Sequence, residues 1–181
     1  MVLTLLVLLW GVNMLREFWD CTYRFTMRDQ NGEILDRWSL KNALVDEGAE
    51  VAIETFLRNN IALYMPDGNF YIGLYLGAMA RTTTILTIPG EPSGNNYSRQ
   101  VVQRTSTGWP TKEVDANGYW NVISKVVQFD ALGGDIGPFS GAFLATSSDS
   151  SGRLISYVTD QFRRTILDGS SITVALSVRC R

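Results

Sequence analysis

The sequence predicts a mainly β protein: a single antiparallel β-sandwich of jelly-roll-like arrangement, with an N-terminal β-hairpin and one amphipathic α-helix. Short segments of alternating apolar and polar residues fill the chain from Phe70 to Arg181, and clusters of Gly, Ser, Asn and Asp separate them. The 181 residues suffice for one domain with a sizeable core. We assign residues 14–181 to that domain.

The N-terminal hairpin is predicted from two alternating segments and the turn between them. The first segment, Glu17–Arg28, carries its apolar residues at Phe18, Cys21, Tyr23, Phe25 and Met27. Asp29–Gly32 supplies turn residues, including a glycine that can adopt positive φ. The second segment, Glu33–Trp38, then returns antiparallel to the first.

A single amphipathic helix is predicted over Val45–Arg58. Its apolar residues recur at spacings of three and four, and they are Val45, Ala49, Ala52, Ile53, Phe56 and Leu57. A stripe of this kind has to cover either a sheet or a partner protein. We expect Phe56 to be buried within the stripe and Glu54, on the opposite face, to be exposed.

The remaining strands follow the helix at near-regular intervals. They are predicted at Phe70–Gly77, Tyr97–Arg104, Tyr119–Phe129, Ser140–Thr146, Leu154–Thr159 and Ser171–Arg179. In the first of them Gly73 and Gly77 leave room for the close approach of another backbone or side chain.

A long polar loop, Ala78–Asn96, separates the first two of these strands. Long loops in compact domains often carry function, and an extended segment can add main-chain hydrogen bonds to a neighbouring protein. The candidate assembly surface comprises Thr82, Thr83, Thr84, Pro89, Glu91, Pro92, Asn95 and Asn96. We expect that deletion of Arg81–Gly94 leaves a folded monomer that no longer assembles.

No catalytic, cofactor-binding or metal-binding residue is predicted. The chain contains no histidine and only two cysteines, which excludes Ser-His-Asp and Cys-His catalysis and histidine-containing zinc sites. The acidic residues from Glu91 to Asp168 fall at predicted turns or strand ends, where carboxylates are common for conformational reasons. Trp109-Pro110 and Tyr119-Trp120 could line a sugar-binding surface, although packing is the favoured interpretation.

The formal net charge of -2 argues against a nucleic-acid binder, because phosphate neutralisation requires a basic surface. The expected partner is another protein, with no small-molecule substrate and no membrane. Cys21 and Cys180 lie near opposite ends of the domain. They could pair if the first and last strands are neighbours, and buried thiols are the other possibility.

Residues 1–13 form an apolar N-terminal segment. Met1–Val12 is shorter than the roughly 20 residues that a membrane-spanning helix needs. It also lacks the basic region and the cleavage site of a secretory signal. A buried arm in an assembly, a degenerate signal and sequence upstream of a true start at Met14 are the alternatives.

The order of these motifs resembles a small family of structural proteins of tailed bacteriophages. The resemblance includes the helix and a strand like Tyr71-Ile-Gly-Leu-Tyr-Leu-Gly77. It continues through a Gly-Asn-Asn-Tyr-Ser-Arg-Gln segment at Gly94–Gln100 and a strand like Gly141-Ala-Phe-Leu-Ala-Thr146, and it ends with the Leu167-Asp-Gly169 turn and the final strand, Leu167–Val178. It covers about three-quarters of the chain and rests on order and spacing.

This resemblance implies a non-enzymatic virion component, assembled in the host cytoplasm as a homo-oligomer with other virion proteins. A tail-side position, as a minor tail or fibre-attachment protein, is the preferred expectation. Capsid decoration is the close alternative, and a carbohydrate-binding module that recognises the host surface is the third.

Overall fold

The computed structural model describes residues 20–180, with the backbone alone at Cys180. The strands are β1 (Asp20–Arg28), β2 (Ile34–Lys41), β3 (Ala43–Leu44), β4 (Asn69–Tyr75), β5 (Gln100–Gln103), β6 (Thr111–Val114), β7 (Trp120–Ile123), β8 (Val127–Asp130), β9 (Ile136–Ala145), β10 (Leu154–Ile166) and β11 (Ser171–Cys180). The helices are α1 (Asp46–Phe56), α2 (Ile61–Tyr64) and a 3₁₀ turn at Ile85–Thr87. The fold is mainly β, as predicted.

The strands form two antiparallel sheets. Sheet A has the order β2-β1-β11-β7-β6, and β8 also pairs with β11. Sheet B has the order β3-β10-β9-β4-β5. The first and last strands are therefore neighbours, and Cys21 lies opposite Val178. Cys21 is buried, whereas the side chain of Cys180 lies outside the described residues.

One apolar core joins the inner faces of both sheets. Sheet A contributes Tyr23, Phe25, Phe129, Val174 and Leu176, and sheet B contributes Ile72, Leu74, Val102, Ala142, Leu144 and Val158. These residues alternate along their strands with residues that point away, as the two-residue period of a strand requires. Burial of this apolar surface is the main stabilising contribution to the two-sheet arrangement.

The predicted N-terminal hairpin is confirmed from Asp20 onward, and Glu17–Trp19 lies outside the described residues. Phe25 stacks on Trp38 of the returning strand with ring centroids 4.9 Å apart. Asp29 fixes the turn, because its Oδ1 accepts the backbone N–H groups of Asn31 at 2.9 Å and Glu33 at 2.8 Å.

The predicted strand Tyr119–Phe129 is wrong as one element, because it is divided between β7 and β8. Ser124 interrupts it: its Oγ accepts the backbone N–H of Leu176 at 2.9 Å, in place of a carbonyl oxygen of the ladder. Lys125 then bonds away from β11, to the carbonyl of Gly108 at 2.8 Å. Two further strand bounds also differ, since β9 begins at Ile136 and β10 extends to Ile166.

The outer face of sheet B is also buried. Tyr75, Phe143, Ala145 and Leu154 form a second apolar cluster there, together with Val45 and Ile85 from the connecting segments. Gly73 makes room for the Phe143 ring, because a Cβ at this glycine would lie 2.2 Å from the ring. The predicted close approach at Gly73 is thus confirmed.

Helix α1 is confirmed, but its buried face coincides only in part with the predicted stripe, because Val45, Ala49 and Ala52 are buried whereas Ile53, Phe56 and Leu57 are exposed. The buried residues are Gly48, Ala49, Val51, Ala52, Glu54 and Thr55. The helix lies against β10 at Gly48, where a Cβ would lie 2.1 Å from the carbonyl oxygen of Ile155. This close approach turns Phe56 and Leu57 toward solvent, with 66% and 80% of their surface exposed.

The expected exposure of Glu54 is also wrong. Only 9% of this residue is exposed, and its carboxylate accepts hydrogen bonds from Arg58 at 3.0 Å and from the Asn60 side chain. These two donors compensate the cost of removing the carboxylate from water.

Candidate assembly surface

The predicted assembly loop, 78–96, lies across the outer face of sheet B. Ile85 is 4% exposed and belongs to the second apolar cluster. The Leu76 N–H bonds to the carbonyls of Pro89 at 3.2 Å and Gly90 at 3.0 Å, and the Tyr157 hydroxyl donates to Met79 O at 3.2 Å. The segment is therefore part of the folded body.

Glu47 of α1 holds the first half of this segment. Its Oε2 accepts the backbone N–H groups of Ile85 at 2.9 Å and of Leu154 at 2.7 Å. One carboxylate thus joins the helix, the covering segment and β10. Arg81 adds an ion pair with Asp46 in the same turn of the helix.

Glu91 holds the second half. Both nitrogens of one edge of the Arg99 guanidinium donate to its carboxylate at 2.8 Å, and the Tyr97 hydroxyl donates to Oε1 at 3.0 Å. The guanidinium also lies 5.0 Å from the centroid of Phe143. Burial, followed by the nearby charge of Glu91, raises the pKa of Tyr97. Glu91 is therefore a structural residue.

Asn95 and Asn96 bind the end of the segment to the β8–β9 turn. Both adopt positive φ, 50° and 68°, which asparagine tolerates better than most residues. Their side-chain amides donate to the carbonyl oxygens of Asp135 at 2.6 Å and Asp130 at 3.2 Å.

The threonines lie in the first half of the segment, and the prolines flank Glu91 in the second half. Thr83 accepts the Ala80 N–H at 2.9 Å, and the Thr84 N–H bonds to the Thr87 hydroxyl at 3.0 Å. Pro89 and Pro92 are half-buried, and Thr82 is exposed. Five of the eight predicted residues are at least half-buried, so the set does not form one accessible surface.

A different exposed apolar surface lies on the helices. We define the helical patch as Ile53 and Phe56 of α1, Leu57 directly after it, and Leu63 of α2, which are 38%, 66%, 80% and 65% exposed. The first three share one face by their spacing, and α2 packs against α1. A shallow cavity beside the patch is lined by Phe56 together with Met65, Phe70 and Arg104.

Sequence reasoning found three residues of this patch within a stripe that was expected to cover either a sheet or a partner protein. Leu63 was not identified. The sequence signal that was missed is Gly48. This glycine lies on the side of α1 that closely approaches the backbone of β10.

The aromatic residues near β6 and β7 divide between packing and exposure. Trp109 packs edge-on against Phe70 with centroids 5.9 Å apart, as expected for a packing residue. Trp120 is 51% exposed, and the ammonium of Lys112 lies 4.6 Å from its ring centroid.

Within residues 20–180 the acidic and cysteine side chains form no cluster of three or more suited to a metal ion. Over the same residues no helix has both the length and the apolar character required to cross a bilayer. Neither the family models nor the curated proteins give a match to this chain.

Proposed function

We propose that this protein is a non-enzymatic structural component of a tailed-bacteriophage virion, positioned on the tail side as a minor tail or fibre-attachment protein. The helical patch is the single observation that carries the assembly role. Four large apolar side chains there are exposed to water, whereas α1 buries mainly small and polar residues. Exposed apolar patches on folded domains commonly mark protein–protein interfaces.

The phage assignment rests on the resemblance in motif order from the helix to the last strand. The two antiparallel sheets with a shared core support the finer proposal of a jelly-roll-like sandwich. Its partners are other virion proteins and further copies of this chain, and its location is the virion.

The test is incorporation of a variant into particles. Phe56→Asp/Leu57→Asp places two charges in the helical patch, where a partner would desolvate them. Leu86→Asp is the matched control, because Leu86 is 76% exposed and lies outside the patch. We expect at least a tenfold loss of incorporation for the double variant and none for the control. Equal incorporation of both variants would exclude the helical patch as the assembly surface.

The position on the particle is tested by copy number. Quantitative gel densitometry of purified particles should give a few to dozens of copies for a tail-side component. Hundreds of copies would identify a capsid-decoration protein instead.

A carbohydrate-binding role is the second candidate, and the exposed Trp120 favours it. Sugars bind by stacking on exposed aromatic rings, so Trp120→Ala should abolish retention on host-surface polysaccharide if this role is correct. Retention that persists in Trp120→Ala would remove the ring from consideration.

A further inference from the structure

The helix that carries the helical patch lies at the end of the two sheets where β1 begins. The Tyr23 hydroxyl, near the start of β1, lies 3.1 Å from the Ser156 Oγ, near the start of β10. Helix α1 lies against the same part of β10, since the N–H of its N-cap residue, Val45, bonds to the carbonyl oxygen of Ile155 at 3.1 Å. The chain that precedes Asp20 therefore joins β1 on the side of the molecule that α1 covers.

The backbone also places the start of β1 close to the start of α1. The carbonyl oxygen of Cys21 accepts the Asn42 N–H at 3.0 Å, and the Cys21 N–H bonds to Asn42 Oδ1 at 3.1 Å. Residues 43–45 alone separate Asn42 from α1, which has 11 residues and is therefore about 16 Å long. Seven residues, as in 13–19, can span up to about 23 Å. A segment that precedes residue 13 can thus reach the patch of its own chain.

The sequence has an apolar segment at that position. Met1–Val12 contains no charged residue and consists mostly of Leu and Val. It lies outside the described residues, and the first charged residue of the chain is Arg16. Contact between this segment and the patch removes apolar surface of both from water, which is the main favourable contribution to such association. The chemistry of the segment therefore matches that of the patch.

The size of the patch also fits a short segment. It comprises four large apolar side chains on α1, after it and on α2. A standard interface between two folded proteins involves about 20–30 residues on each side. Peptide segments, in contrast, bind to surfaces of a few apolar side chains through a small number of anchor residues. The occupant that fits the patch is a short apolar segment.

Covalent attachment favours the segment of the same chain over that of another copy. A short flexible linker keeps a binding segment at an effective concentration in the millimolar range. When the protein is micromolar, the segments of other copies are about a thousandfold more dilute. The segment of the same chain therefore occupies the patch first.

We propose that Met1–Val12 binds the helical patch of its own chain and covers it until assembly. A virion partner then displaces the segment and takes its place on the patch. This inference names the regulation of the assembly surface proposed above, and its regulatory part rests on that function. The segment lowers the apparent affinity of the patch for the partner, because only uncovered chains can bind. It thereby limits association through the patch outside the particle.

Photo-crosslinking of the full chain tests the contact. A benzophenone amino acid replaces Leu57, which is 80% exposed, and the same replacement of Leu86 is the control, because Leu86 is 76% exposed outside the patch. We expect position 57 to crosslink to residues 1–12 in a product of monomer mass, with a yield at least about tenfold above that from position 86. No crosslink to residues 1–12, a product mainly of dimer mass, or equal yields from both positions would overturn the proposal.

Charges in the segment should remove the crosslink. Leu5→Asp/Leu8→Asp should lower the yield from position 57 by at least about tenfold, because burying carboxylates against apolar side chains is costly. Leu5→Ile/Leu8→Ile keeps the segment apolar and should leave the yield unchanged. Both pairs are made in the full chain, and circular dichroism checks that they fold. Equal yields from the two pairs would show that the contact is not apolar and contradict the proposal.

Dye binding distinguishes a covered patch by the sign of a change. The dye ANS fluoresces on exposed apolar surface. Removal of residues 1–13 should raise its fluorescence severalfold, because the patch is uncovered. Phe56→Asp/Leu57→Asp in the shortened chain should cancel that rise. If the segment does not cover the patch, its removal takes away apolar surface and lowers the fluorescence instead, which would overturn the proposal.

The two proposals fail separately. If position 57 does not crosslink to residues 1–12 while Phe56→Asp/Leu57→Asp still fails to enter particles, the cover is wrong and the assembly function stands. If the crosslink forms while that variant enters particles normally, the segment covers the patch and the patch is not the assembly surface.

Discussion

The outer faces of the two sheets differ in what lies on them. On sheet B, Tyr75 and Phe143 are fully buried beneath the segment 78–96. On sheet A, the outward positions of β1 and β11 are mostly Thr, Ser and Arg, and Arg24 is exposed. The same strand geometry thus produces a second core on one sheet and an open surface on the other.

The sequences of the strands explain this difference. β1 alternates apolar and polar residues, as in a strand with one buried face, whereas Phe139–Ala145 of β9 is buried at every position. A strand that is apolar on both faces requires a cover on each side. The absence of alternation in β9 therefore indicates that another segment covers sheet B.

The largest expected effect is removal of that cover. Deletion of Arg81–Gly94 with a short Gly/Ser bridge exposes the second apolar cluster and removes Ile85 and the Glu91–Arg99 pair. We now expect loss of cooperative folding, in place of the folded monomer expected from sequence. Thermal unfolding, monitored by circular dichroism, shows whether the transition remains cooperative.

Leu86→Ser is the control for the deletion, because this exposed residue of the same segment should leave the midpoint of unfolding unchanged. A cooperative unfolding transition in the deletion variant would show that sheet B folds without the segment 78–96.

Alkaline pH tests how strongly the segment 78–96 is bound to the outer face of sheet B. Burial raises the pKa of Tyr97 above its value in the unfolded chain, which is about 10. The stabilisation linked to the neutral phenol is therefore complete below about pH 10 and is lost as the pH rises above it. The free energy of unfolding from urea titrations should fall above that pH.

The control for alkaline destabilisation is Tyr97→Phe, in which the free energy of unfolding should fall less steeply as the pH rises. Burial also raises the pKa of Tyr23, so this residue should account for part of the pH dependence that remains in Tyr97→Phe. If the free energy of unfolding of Tyr97→Phe falls with pH as steeply as that of the wild type, the Tyr97 hydroxyl is accessible to water in the folded state.

A smaller effect distinguishes the two faces of α1. Glu54→Ala should destabilise the isolated protein by about 0.5–1.5 kcal/mol, because it removes the hydrogen bonds of Glu54 with Arg58 and Asn60. Phe56→Asp should change the free energy of unfolding by no more than about 0.5 kcal/mol, since the side chain is 66% exposed. Denaturant titrations that reverse this order would restore the predicted stripe as the packing face.

The sequence was sufficient for the mainly β class, the hairpin, the helix and most strand cores. Period-two alternation in β1 and turn residues such as Asp29 and Gly32 are local signals, and local signals determine the position of elements. The exposed candidate residues Thr82, Asn95 and Asn96 were also placed correctly in a connecting segment.

The sequence was not sufficient for the direction in which α1 packs or for the role of the long loop. The buried face of α1 follows from contact of Gly48 with Ile155, two residues over one hundred positions apart in the chain. Glu91 looked like a loop acid because its partner Arg99 and the Phe143 ring come together only in the tertiary structure. The functions proposed here stay predictions.

The most direct test of the difference between the sheets is a pair of truncations, one on each outer face. Phe143→Ala on sheet B should lower the free energy of unfolding by about 3–5 kcal/mol, as for a buried aromatic residue. Thr22→Ala on sheet A should lower it by less than about 1 kcal/mol. Costs of similar size in denaturant titrations would contradict the account of one covered and one open sheet.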